Sequence, residues 1–501
     1  MKLPDTVMDV YHHSFHIDTE KHDPVAGGQG VVVWTADPDL VLKLAFKPGG
    51  GQELDKDDRK NDHYMDLRLM PLPLHGHFAM PQSVLKGYRG YVMTLLDDMD
   101  TFQEHFALDC KDREDDQEDK DEKDKKIMAP ETVFFRQLAA QGGAYAEYAK
   151  MLRSYMGTGG SRRRCLAYFK AAVLLDTLHA NDLVYCDFSP RNIDISKDLA
   201  HSNVWLFDMD NLRYAEQQED RIFTPGFCAP EVRAGEGDCS PYADAYSFAV
   251  SLFGQLLLRQ PFEGPAYEAA AEELDDQEAA DELRDCGEFP WILEEGENRV
   301  PDEAFYLPYQ HILTDDLYAL FAQTFSEESR LEDASVRPPL SAWALALAYA
   351  FDNMVYDRVS GCDYLDEGES FGVCPWGEPH AVPTLRARAY AADEEGLRRS
   401  DRVLWQCTHE CAKVVLLPLR LVAGFSCADS EAAAFTVDCA QEHLTIRSEL
   451  PYDWTAAYSD DGMIFEPYGS YHAEGGQAVI HCLEKKGGTV VRSVRVEIEM
   501  G

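Results

Sequence analysis

Two apolar runs of β character, Val184-Tyr185 and Ile193-Asp194-Ile195, bracket the loop Cys186-Asp187-Phe188-Ser189-Pro190-Arg191-Asn192. A third run, Val204-Trp205-Leu206-Phe207, closes on Asp208. This arrangement constrains the fold more than any other feature. Short strands around a polar loop set an Asp and an Asn five residues apart, with a second Asp about twenty residues on. The spacing suits phosphoryl transfer from ATP: one carboxylate faces the attacking hydroxyl, while an amide oxygen and a second carboxylate hold magnesium against the phosphates. Taken alone, Asp187 and Asp208 would also serve as caps of turns at strand ends, so the surrounding chain decides between the readings.

Upstream lie Gly27-Gly28-Gln29-Gly30-Val31-Val32-Val33 and then Val41-Leu42-Lys43-Leu44. Downstream lie Thr224-Pro225-Gly226-Phe227-Cys228-Ala229-Pro230-Glu231, Asp244-Ala245-Tyr246-Ser247-Phe248 and Arg337-Pro338. With these landmarks in this order, the chain resembles the eukaryotic-like protein kinase superfamily over roughly residues 1–352. The resemblance implies an α+β, two-lobed fold, with a small β-rich lobe over about 1–96 and a large helical lobe over about 97–352. It implies ATP and magnesium as cofactors. Gly27, Gly28 and Gly30 would let the backbone approach the phosphates, and Val32 would pack on adenine. Lys43 would pair the α- and β-phosphates, since charge spreading over them in the transition state needs a fixed cation. Met93 would be the gatekeeper, with Leu95 in the hinge Thr94-Leu95-Leu96. Asp187 would orient the substrate hydroxyl or act as base, and Asn192 and Asp208 would hold the metal. Arg191 either supplies a cation for the γ-phosphate or is solvated. The helix acid that usually partners the lysine is open among Glu53, Asp58, Asp62 and Asp66. Glu231 with Arg337, and Asp244, would brace the lower lobe.

The chain departs from the family in three places. Val25 fills the first glycine slot. Tyr185-Cys186 replaces His-Arg, removing the cation that grips a phosphorylated activation segment. Asp208-Met209-Asp210 replaces Asp-Phe-Gly, and Asp210 lacks glycine's torsional freedom.

The bulk composition narrows the rest. A chain of 501 residues exceeds one ordinary domain. Lys+Arg of 46 against Asp+Glu of 90 gives a net charge of −44, a surface that repels nucleic acid and anionic lipid. No apolar run is long enough to span a bilayer, and Met1-Lys2-Leu3-Pro4-Asp5 carries no apolar signal segment. Thirteen scattered cysteines suit reduced thiols. A soluble, cytoplasmic protein is expected, with no membrane or nucleic-acid partner.

Pattern reading predicts helices over about 52–70, 131–156, 161–180, 240–258 and 263–286, and a mobile, nearly all-charged insertion over 109–126. After Asp352 the composition shifts. Residues 353–400, rich in Gly, Pro and charge, read as a linker. Residues 401–501 read as a β-sandwich, with strands expected at Ala412–Phe425, Ala433–Val437, Leu444–Arg447, Met463–Phe465, Ala478–Cys482 and Val490–Ile498. This part resembles BACON-type immunoglobulin-like domains.

Phe289-Pro290-Trp291-Ile292, Trp343 and Cys374-Pro375-Trp376-Gly377 resemble a narrower bacterial kinase group. That group accompanies a von Willebrand A-type protein and a metal-dependent phosphatase, which the resemblance offers as partners, and it carries a zinc ribbon after the kinase. Here Cys362 and Cys374 remain and Gly377 stands in a cysteine slot; His380 and Asp363 would be needed to complete four ligands, and a metal-free vestige is expected. The function expected is an ATP- and magnesium-dependent Ser/Thr protein kinase acting on itself or a partner. The alternatives are a pseudokinase scaffold and a small-molecule phosphotransferase, the last disfavoured by the Ala-Pro-Glu segment and Arg337.

Overall fold

The computed structural model describes residues 1–501 apart from 20–21, 74–75, 109–127, 218–222, 369–370, 394, 426–431, 441–442, 460–465 and 468–469. The charged stretch 109–126 and the predicted strand Met463–Phe465 therefore lie outside the described residues. The architecture is α+β, with a curled N-terminal sheet, a helical middle and a β-rich C-terminal region.

The N-terminal sheet has seven strands: β1 (Thr6–Asp9), β2 (Ser14–His16), β3 (Val25–Ala26), β4 (Gly30–Trp34), β5 (Leu40–Ala45), β6 (Ser83–Lys86) and β7 (Gly90–Thr94). They lie in the order β2-β1-β6-β7-β5-β4-β3, each antiparallel to its neighbours. Period-two alternation sorts β5 into two faces. Leu42 and Leu44 join Val31, Val33 and Val92 in a small cluster on one side. Val41 joins Tyr91 and Met93 in the main core on the other, the side on which Lys43 emerges. Two glycines let the flanking strands close on β5: a Cβ at Gly30 would sit 2.5 Å from the Leu44 carbonyl oxygen, and one at Gly90 would collide with that of Lys43.

The predicted helix over 52–70 shrinks to a 3₁₀ turn, Asp58–Asn61, and a short helix, Asp62–Leu67. Within the short helix only Tyr64 and Leu67 are buried, little apolar surface to hold a longer one. The expected helix 131–156 is two, Val133–Ala139 and Ala144–Gly157, broken at Gly142 (φ +73°) and Gly143 (φ +55°). The acidic stretch 263–286 also divides, into Pro265–Leu274 and Gln277–Asp285, where Asp276 caps the second helix through the backbone N–H groups of Glu278 and Ala279. The helices Gly160–His179, Pro241–Leu257 and Leu340–Asn353 carry the core of the middle region. No helix among the described residues is long and apolar enough to cross a membrane.

Beyond Asn353 lie two small antiparallel pairs, Met354–Asp357 with Cys362–Leu365 and Val373–Cys374 with His380–Ala381, and two larger antiparallel sheets, one of six strands and one of four. They do not begin at 401. Thr384–Ala392 lies inside the six-stranded sheet, paired with Arg398–Glu410 and Thr489–Met500, so Thr384–Ala392 and the start of Arg398–Glu410 are sheet rather than linker. The alanines and arginines of Thr384–Ala392 read as helix formers, yet the strand is buried between two neighbours, where packing overrides propensity. Conversely, the run Ala412–Phe425 is a strand only over Val414–Pro418 and ends in a helical turn, Arg420–Ala423.

The helical and β-rich regions are joined by buried polar groups. Asp352 receives Nε of Arg420 at 2.6 Å and Nε1 of Trp405 at 2.9 Å, with a second guanidinium contact to its other oxygen. Asn353 bonds the backbone of Gln406 and the side chains of Gln406 and Thr408.

Candidate functional site

Lys43 is 9% exposed, and its ammonium reaches two carboxylates from a segment 165 residues away: Asp208 in direct contact and Asp210 at 2.8 Å. Burial opposes its charge, but the two aspartates outweigh that and hold its pKa above the ordinary lysine value. Burial likewise raises Asp208, with Asp210 and Asp187 adding to the rise and Lys43 opposing it. Asp210 is itself fixed by the Tyr91 hydroxyl, which donates to its Oδ1 at 2.6 Å, and by His63, whose Nε2 lies 2.6 Å from its carbonyl oxygen.

None of the proposed helix acids partners the lysine. Glu53 pairs with Lys47, and Asp58 accepts from the Gly87 N–H at 2.7 Å. Asp62 and Asp66 sit on the short helix, which contributes His63 and Tyr64 to this face instead. The partner is Asp210, the residue that sequence reasoning treated as a departure. Its signal was the doubled acid in Asp208-Met209-Asp210.

Asp187 and Asn192 lie on the adjoining loop. The Asn192 amide nitrogen donates to the Asp187 carbonyl at 2.8 Å and to its carboxylate at 3.3 Å. The Thr224 hydroxyl donates to Asp187 Oδ1 at 2.7 Å. Tyr185, in the slot of the missing histidine, donates its hydroxyl to the Asn192 carbonyl at 2.9 Å and to that of Phe207. Asp244 accepts the backbone N–H groups of Tyr185 and Cys186 at 2.8 and 2.9 Å and bonds His179 at 3.0 Å. Two non-glycine residues take the left-handed conformation here, Cys186 (φ +73°) and Asp208 (φ +48°). Such strain persists only where surrounding bonds enforce it, and it gathers at working sites.

The other candidates are placed around this cluster. Gly27 donates its N–H to the Gly30 carbonyl, closing the turn between β3 and β4, with Gly28 inside it. Val32 pairs with Lys43 across β4 and β5, and Met93 with Val41 across β5 and β7. Leu95 donates its N–H to Asp39 and is half-buried against the core. Arg191 is exposed and donates to Gln103 at 2.7 Å, so it is not gathered in with Lys43 and the aspartates. Glu231 and Arg337 form a two-pronged pair at 2.7 and 2.8 Å.

Asp194 lies just past the loop, on the strand Ile193–Ser196, with Oδ1 buried and without a hydrogen-bond partner. Burial first, then Glu104 and Asp100, raise its pKa to about 7. The folded protein thus binds a proton here that the unfolded chain releases near pH 4, so this group costs stability as pH rises through the window from about 4 to 7. Asp194→Asn is expected to stabilise the protein by about 1–3 kcal/mol at about pH 8 and to be nearly neutral at about pH 4, read by urea denaturation at both. Equal effects at the two pH values would contradict a buried carboxyl.

The ribbon-like segment gathers a different set from the one expected. Asp357, Cys374 and His380 offer ligand atoms within 4.8 Å of one another. Asp363 is instead turned to the start of the helix Gly160–His179, where it accepts the Arg162 N–H at 2.8 Å. Asp357 already accepts the N–H groups of Val359 and Ser360 and bonds His380 at 2.9 Å. Burial raises the Cys374 thiol to about 12. Among the described residues this group offers three candidate ligands, one fewer than the four that tetrahedral zinc takes from a structural site.

In comparisons with known proteins, no family model matches the chain and no curated protein matches it.

Proposed function

We propose that this chain is an ATP- and magnesium-dependent protein kinase acting on serine or threonine hydroxyls, with the N-terminal sheet and the helical region as its two lobes and the β-rich region, a sandwich, as a module that recruits partners. The observation that carries this reading is the meeting of Lys43 with Asp208 beside the loop of Asp187 and Asn192. Lys43 is a fixed, buried cation suited to bridging phosphates. The nitrogen of Asn192 is spent on Asp187, which leaves its oxygen, with the Asp208 carboxylate, as hard ligands for magnesium. Magnesium bound there would neutralise phosphate charge. Asp187 already accepts a bond from an alcohol, that of Thr224, and so has the reach to orient a substrate hydroxyl and receive its proton.

The described cysteines are all free, which fits a reducing cytoplasm. Partner proteins of the von Willebrand A and phosphatase types follow from the sequence resemblance alone. One observation favours the pseudokinase alternative: Lys43 is closed between two carboxylates, so a metal at Asp208 must compete with an ammonium already there.

Incubating the full chain with magnesium-ATP, with and without candidate partners, tests the proposal. Phosphate incorporation that is lost in Asp187→Ala supports a kinase. Nucleotide binding without incorporation into any protein supports the scaffold, and neither binding nor incorporation overturns both.

A further inference from the structure

In a chain of net charge −44, three consecutive arginines stand at the start of the helix Gly160–His179. Two are held by several hydrogen bonds each. Arg163 donates to the carbonyls of Ser196, Asp198, Leu199 and His201, holding the turn that follows the strand Ile193–Ser196. Arg164 is buried, donates to Gly160 and Thr158, and stacks on Tyr155 and Phe106. Arg162 differs. Its guanidinium lies 4.0 Å over the Phe351 ring, and among the described residues it has neither a hydrogen bond nor an ion pair. Its backbone N–H is held by Asp363, behind it.

Arg162 lines a cavity of about 400 Å³ between this helix, the end of Leu340–Asn353 and the strand Val414–Pro418. His409 lines the same cavity, with a buried Nε2 that has no hydrogen-bond partner. Burial and the nearby Arg162 and Arg420 lower its pKa to about 3, which leaves the ring neutral. Three guanidiniums border the space, those of Arg162, Arg163 and Arg420, and among its described lining residues Asp352 is the one carboxylate. Asp352 is already committed to Arg420. Phe351, Leu416 and Pro418 supply apolar wall. Asp352 and Asp363 lie near enough to favour the Arg162 charge, but neither bonds its guanidinium. A desolvated cation whose donors are unspent, facing an unsatisfied ring nitrogen across a cavity of this size, is an arrangement that an anion completes.

We infer that this cavity is a binding site for a small organic oxyanion, a phosphate monoester or a carboxylate, seated between the helical and β-rich regions and held by the Arg162 fork. A planar guanidinium matches either oxyanion with two parallel bonds, and the apolar wall accommodates a short carbon body. The site is separate from Lys43 and Asp208 and does not depend on the nucleotide reading. Because Arg163 ties the same helix end to the strand that follows Asn192, an anion here would stiffen the support of that loop.

Thermal unfolding of the full chain tests it, with inorganic phosphate and citrate as probes and chloride at matched ionic strength as control. At about a hundred times the dissociation constant, the melting temperature is expected to rise by about 2 °C or more over chloride. Arg162→Gln is expected to remove that rise while melting, without anion, at or above the wild-type temperature. Arg162→Lys should retain part of the rise, and Lys43→Ala should retain all of it. A response to phosphate alone identifies a phosphate site; a response to citrate alone identifies a carboxylate site. No response to either probe, or a response that survives Arg162→Gln, overturns the inference. So does a response lost in Lys43→Ala, which would assign the anion to the other cleft.

Discussion

Asp208→Ala is expected to lower magnesium-dependent phosphoryl transfer by about 10²–10³-fold or more, because it removes the carboxylate proposed to hold the metal and one of the two charges that position Lys43. Asp210→Ala is expected to behave differently. Asp210 sits behind the lysine, bonded to Tyr91 and His63, and its loss leaves the ammonium to Asp208 alone. Turnover should fall less, by about tenfold, and half-maximal activity should need more magnesium as Lys43 competes more strongly for Asp208. Steady-state rates at graded magnesium separate the two. If Asp210→Ala were the dead variant and Asp208→Ala the active one, the roles assigned to the pair would be reversed.

The second large effect is on stability. Asp352→Ala is expected to cost about 3–5 kcal/mol, since it takes from the buried Arg420 guanidinium the carboxylate that binds it through both oxygens and from the Trp405 indole N–H its acceptor. Replacing both charged partners with apolar residues, as in Asp352→Leu with Arg420→Met, should cost much less than either alanine change alone, because no buried charge is then orphaned. Urea denaturation followed by Trp405 fluorescence and by far-ultraviolet dichroism measures both, and coincident curves would show the two regions unfolding together. A double variant as unstable as the sum of the singles would mean that the pair matters through packing rather than charge.

The local elements were largely readable where one rule dominated. The apolar spacing in Gly160–His179, and Lys43 set among leucines on β5, lie on the surface of the sequence. Elements decided by distant partners were not. Thr384–Ala392 has the composition of a helix and becomes a strand because Thr489–Met500, a hundred residues on, pairs with it. Asp352 looked like a domain edge because composition changes there, yet it is buried and anchors the following region. The acid beside Lys43 was sought on a helix, where the resemblance placed it, but Asp62–Leu67 turns His63 and Tyr64 to that face instead. Asp210 was hidden in plain view, since only the folded chain brings it within reach of Lys43.

Tyr185 carries one hydroxyl hydrogen and offers it to two carbonyls, one on the segment of Asn192 and one on that of Phe207. The Phe207 N–H donates to that same Asn192 carbonyl, so the segments carrying Asp187 and Asp208 are laced through their backbones and the phenol adds a side-chain tie to the seam. A phenylalanine in that place would keep the ring and the backbone bond and drop only the phenol's share.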